Sequence, residues 1–153
     1  MLTICLGMSD NVGFLLSDTA RLMRRAFDAR ARLLGVTRPQ WRTLFTLSRQ
    51  EGLTQGALAE LMEVEPITAC RMIDRLEEAG HVERRRDPAD RRAWNIYLTD
   101  RSRPLIAQLK AVADEMAATA LDGISPAEHD ALANTLSRIR TNLNARMQEA
   151  AHG

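Results

Sequence analysis

After Gly80 the hydrophobic period of this chain changes from about 3.6 residues to about 2, and that change limits the folds open to it. Before the change, Pro66 to Ala79 carries its apolar residues on one side of a helix, with Pro66 in the first turn and Gly80 as the stop. After it, HVERRR (81–86) alternates Val82, Arg84 and Arg86 with His81, Glu83 and Arg85. AWNIYL (93–98) alternates Trp94, Ile96 and Leu98 with Ala93, Asn95 and Tyr97. The intervening DPADRR carries turn chemistry, so a β-hairpin is predicted.

The segments on either side are helical by the same criterion. Thr54 caps a short helix, QGALAELM, and the turn 62–65 joins it to Pro66. Two short helices on a tight turn, then a hairpin, is the order of a winged helix-turn-helix. Upstream, Leu15, Leu16, Leu22, Met23, Ala26 and Phe27 follow helical spacing from Val12 to Leu34, with Gly35 as the stop. TRPQ (37–40) has the form of a capping box opening a helix through Trp41, Leu44, Phe45 and Leu47 that ends near Gly52. Downstream, Thr99 and Asp100 open a helix to about Leu121, in which Pro104 requires a late start or a distorted first turn. SPAE (125–128) is a second capping box, before a helix carrying Leu132, Leu136, Ile139, Leu143 and Met147. The expected fold is mainly α with a small β-hairpin, a winged helix-turn-helix (37–99) flanked by N- and C-terminal dimerisation helices (12–35 and 122–149). Residues 100–121 form the connecting helix of one 153-residue domain. The outer apolar stripes exceed what a monomer of this size covers, so a homodimer is expected.

Charge placement then narrows the function. The formal net charge is only +1, but residues 1–50 hold eight arginines against three aspartates. Arg84, Arg85, Arg86, Arg91 and Arg92 crowd around Asp87 and Asp90 on the hairpin. Exposed ion pairs contribute only ~0–1 kcal/mol each, so stability does not explain the cluster. On the helix before it, Ala69, Met72, Ile73 and Leu76 form the core stripe, while Ile67, Thr68, Arg71, Arg75 and Glu78 face away. A helix that reads double-stranded DNA needs that division. Arg71 can fork onto guanine, Thr68 can meet a phosphate or a thymine methyl, and an arginine-tipped wing suits a narrow, electronegative minor groove. Glu77 and Glu78 argue the other way, as acids repel phosphate. A winged helix that docks an acidic protein partner is the alternative reading.

Other classes find no support. His81, His129 and His152 have no carboxylate or cysteine at ligand or triad spacing, and no glycine-rich phosphate loop occurs, so neither an enzyme nor a metal or cofactor site is expected. Cys5 and Cys70 stand apart, which suits a reducing cytoplasm. No signal peptide or membrane span is read, and Met8 is an alternative start.

Residues 54–99 resemble the DNA-binding core of MarR-family transcriptional regulators, nearest the SlyA-like branch. The resemblance rests on RMIDRLEEAG (71–80), VERR (82–85) and DPADRR (87–92), and element order extends it over 12–149. It implies a homodimer, probing a palindromic operator, most often as a repressor. By position, Arg71 becomes a base or phosphate contact and Arg92 the minor-groove arginine, with Asp90 holding it. Arg84, Arg85, Arg86 and Arg91 become phosphate or flank contacts. Release of DNA by a small aromatic acid or phenol is a further implication, with Arg21, Arg24, Trp41 and Phe45 as lining residues. Oxidant sensing through Cys5 or Cys70 is the less favoured variant. His81 departs from the family pattern, in which an aliphatic residue is common.

Overall fold

The computed structural model describes residues 12–152; Cys5 and the start at Met8 lie outside them. The order is α1 (Val12–Leu33), α2 (Arg38–Arg49), β1 (Leu53–Thr54), α3 (Gln55–Met62), α4 (Pro66–Glu78), β2 (Val82–Arg86), β3 (Trp94–Leu98), α5 (Ser102–Ala120) and α6 (Pro126–His152). Two compact units result, one reaching Met116 and one from Ala117. Among the described residues no helix is long and apolar enough to cross a membrane.

The caps follow the local sequence. Gln40 Oε1 accepts from the Thr37 backbone amide at 2.8 Å, and Pro39 sits in the first turn of α2. Thr54 Oγ1 accepts from Ala57 N at 3.1 Å and starts α3. α4 ends where Gly80 takes φ +75°, with Gly80 N donating to Glu77 O and His81 N to Leu76 O, both at 2.8 Å. A residue with a Cβ resists that left-handed geometry. α5 starts late, at Ser102, so Pro104 falls in the first turn, where its missing amide leaves no helical bond unmade. At α6, Ser125 N donates to Glu128 Oε2 at 2.9 Å and Glu128 N to Ser125 Oγ at 3.3 Å.

The first unit packs around Leu44, Leu47, Leu58, Ile73, Leu76, Ile96 and Leu109, all fully buried. At about 1.5–3 kcal/mol per buried aliphatic side chain, this cluster dominates the unit's stability. α4 lies against α3 and β2, and its buried residues are Ala69, Met72, Ile73 and Leu76, as its spacing predicts. The hairpin is joined by a third strand, which the sequence reading did not anticipate. β1 pairs antiparallel with β3, Leu53 opposite Ile96, giving the order β1-β3-β2. Two residues are too few to show alternation.

α1 buries only Phe27, Asp28 and Ala31, near its C-terminal end. Val12, Phe14, Leu15, Leu22 and Met23 stay exposed on it. In the second unit, Leu132, Leu136, Leu143 and Met147 of α6 are likewise exposed. Apolar side chains left exposed in this way are costly in water. His81 enters β2 with Nδ1 buried and without a partner, and burial, reinforced by the charge of Arg101, lowers its pKa.

Candidate nucleic-acid interface

Ile67, Thr68, Arg71 and Arg75 are all exposed along α4, on the side opposite its core stripe. Ile67 is 61% exposed although it is aliphatic, and it stands in the first turn of the helix. Four buried side chains on the other side fix the helix, so this row projects from a rigid support. Among the described residues no ion pair holds Arg71 or Arg75. Their guanidinium groups are available to a ligand.

The wing is built by its strands and by two carboxylates. In register, Val82 faces Leu98, Arg84 faces Ile96 and Arg86 faces Trp94. Asp87 Oδ1 accepts from the amides of Ala89 (2.7 Å) and Asp90 (3.0 Å), while its Oδ2 accepts from Asn95 Nδ2 at 2.9 Å. The Asn95 hydrogen bond, then the two amides, hold the Asp87 carboxyl below its ordinary pKa. Asp87 is therefore the residue that closes the turn, a role the sequence reading did not give it. Asp90 was expected to hold the Arg92 side chain; its Oδ1 accepts from the Arg92 backbone amide at 2.9 Å. A carboxylate beside a turn finds the nearer amide before a long, mobile guanidinium. Asp90 shapes the chain that carries Arg92.

The five wing arginines fall into three settings. Arg91 and Arg92 are exposed at the tip. Arg85 and Arg86 are exposed along β2, each laid over an aromatic ring: Arg85 is 4.4 Å from the Tyr97 centroid and Arg86 4.5 Å from that of Trp94. Stacking limits their freedom. Arg86 also donates to Arg91 O at 2.6 Å, and Arg85 pairs with Glu83. Arg84 is different. It lies on the Val82 face, its side chain is 18% exposed, and it is ion-paired to both Asp74 and Glu77 of α4. The surface thus brings Ile67, Thr68, Arg71, Arg75, Arg85, Arg86, Arg91 and Arg92 outward and draws Arg84 in.

The candidate ligand residues are divided too. Trp41 and Phe45 join Phe27 in an aromatic cluster, with Trp41 4.7 Å from Phe27 and 5.8 Å from Phe45 between ring centroids. The Trp41 indole N–H donates to buried Asp28 at 3.0 Å, and Asp28 also accepts from Arg38 Nε at 2.7 Å. The Arg38 hydrogen bond is the main cause that lowers the Asp28 pKa, against the effect of burial. Beside these rings lies a groove of about 410 Å³ that Leu61, Arg42 and Arg49 also line. Arg21 and Arg24, expected there, are not among its lining residues. They are exposed on α1 before its packed C-terminal turns, and Arg21 pairs with Asp18.

Comparison with known proteins places this geometry. The family model described as MarR family matches residues 36–94. The chain is 36% identical to the solved structure of transcriptional regulator PA3341, over 87% of this chain and 98% of that one, with a TM-score of 0.76. It is 29% identical to the transcriptional regulator SlyA, over 86% and 95% of the two chains, at a TM-score of 0.72. A solved MarR is 25% identical over 88% and 98%, at a TM-score of 0.74.

Proposed function

The chain belongs to the MarR family of transcriptional regulators, and from that premise we propose that it is a homodimeric repressor, acting in the cytoplasm on a palindromic operator. The single observation that supports this most is the pairing of an exposed, unpaired Arg71 on a rigid helix with exposed Arg91 and Arg92 on a closed turn. A two-fold dimer carries two such pairs, about 34 Å apart, matching half-sites one helical turn from each other. The exposed faces of α1 and α6, the proposed dimerisation helices, supply apolar surface for that dimer. Repression by occlusion requires nothing beyond tight, selective binding. The DPADRR wing tip supports a place in the SlyA-like branch.

In this reading Thr68, Arg71 and Arg75 work in the major groove beside Ile67, and Arg92 enters the minor groove from a turn shaped by Asp87 and Asp90. Arg85, Arg86 and Arg91 hold phosphates. Arg92→Ala is expected to weaken operator binding at least about tenfold, because a guanidinium in a narrow minor groove loses its contact in both half-sites. Gel shift measures the loss and circular dichroism checks the fold. Unchanged affinity removes the wing from the interface.

The groove beside Trp41 and Phe45 supports a second element, release of DNA by a small aromatic acid. The rings offer stacking surface, and exposed Arg49 at the rim offers a partner for the carboxylate. A panel of benzoates and phenols is expected to change tryptophan fluorescence and weaken operator affinity together. No response in either measurement across the panel rules the ligand out.

A further inference from the structure

Arg84 opens the basic cluster, yet its charge is engaged by the protein itself. Its guanidinium meets Asp74 and Glu77, which lie one turn apart on α4. Its backbone amide donates to Glu77 Oε1 at 3.2 Å, so Glu77 grips both the main chain and the side chain of one residue. Burial alone would lower the Arg84 pKa; the hydrogen bonds to Asp74 and Glu77 more than reverse that and raise it. Charge-assisted bonds of this kind are roughly twice as strong as neutral ones. The contact spans the two elements that the proposed function asks to act together, the reading helix and the wing.

We propose that Arg84 is a positioning residue rather than a DNA contact: with Asp74 and Glu77 it forms a strut that sets the angle between α4 and the wing. This rests on the DNA-binding reading above. The wing extends roughly 10 Å beyond Arg84 at about 3.3 Å per strand residue, so a 10° swing at its root displaces the tip by roughly 2 Å. A hydrogen bond does not survive a shift of that size. The strut therefore decides whether Arg92 arrives in its groove when Arg71 is seated in the neighbouring one.

Glu77 gives a test in which two explanations predict opposite signs. As a bare negative charge near DNA, its removal tightens binding. As part of the strut, its removal loosens it, because glutamine has one acceptor oxygen where Glu77 uses two. On a duplex selected by the wild-type dimer from a random pool, Glu77→Gln and Arg84→Met are each expected to weaken binding about three- to tenfold. In an Arg92→Ala background both effects are expected to vanish, since the wing whose angle they set has already lost its groove contact. Tighter or unchanged binding by Glu77→Gln, or losses that add fully to that of Arg92→Ala, overturns the strut. A direct phosphate contact by Arg84 shows instead as a salt dependence reduced by about one unit per protomer in Arg84→Met. Should Arg84→Met not fold, the near-isosteric Glu77→Gln decides alone. Absence of any duplex binding by the wild type is a separate result, which sinks the DNA reading and the strut with it.

Discussion

Affinity of the dimer for its selected duplex is expected to fall by about 10³–10⁵ between 50 and 200 mM salt. Each phosphate that an arginine neutralises releases a condensed counterion, and that release is worth less as the bulk salt rises. Arg85, Arg86 and Arg91 supply about three such groups per protomer and about six per dimer, within the ~6–10 contacts that give a loss of this size. The overall charge of +1 cannot produce the effect, since it leaves no long-range field to speak of. The slope comes from where the arginines stand, and acids such as Glu83 temper it by pairing with Arg85. A winged helix that docks protein rather than DNA binds no duplex at either salt concentration. A flat titration with binding present would mean that uncharged contacts carry the complex, and the electrostatic account of the wing would fail.

Much of this surface could be read from the sequence because local chemistry decides it. The α4 core stripe follows from spacing alone, and Gly80, Ser125 with Glu128, and Thr54 act through neighbours three or four residues away. β1 could not be read, because Leu53 and Thr54 become a strand only through β3, more than forty residues on. Arg84 is more instructive. Its alternation with Val82 and Arg86 already placed it on the face that packs against α4. Five arginines in nine positions nevertheless read as one set, since composition does not say which charge a protein uses on itself. Asp74 and Glu77, three residues apart on α4, were the available signal. Of the expected ligand residues, Trp41 and Phe45 line the groove, whereas α1 looks uniformly amphipathic yet packs only through its last turns, so Arg21 and Arg24 are not among the lining residues.

Arg71→Ala is expected to cost the dimer about 2–6 kcal/mol on its selected duplex, from two guanine forks at ~1–3 kcal/mol each. At about 1.4 kcal/mol per tenfold, that is a loss between roughly 30-fold and 10⁴-fold. Exposure and lack of an ion pair make the residue fit for this role, whereas Arg84, equally basic, is already neutralised by two carboxylates. The size of the loss does not by itself prove base reading, because a phosphate contact also weakens binding. The distinction lies in the scrambled duplex. A base-reading arginine lowers the selected affinity and leaves the scrambled one nearly intact, so the ratio collapses. Arg71→Lys sharpens the comparison, as it keeps the charge and loses the planar fork. It should leave scrambled binding intact without restoring selectivity. If Arg71→Ala weakens both duplexes equally and Arg71→Lys restores both, Arg71 holds a phosphate, and sequence is read from Ile67, Thr68 or the wing.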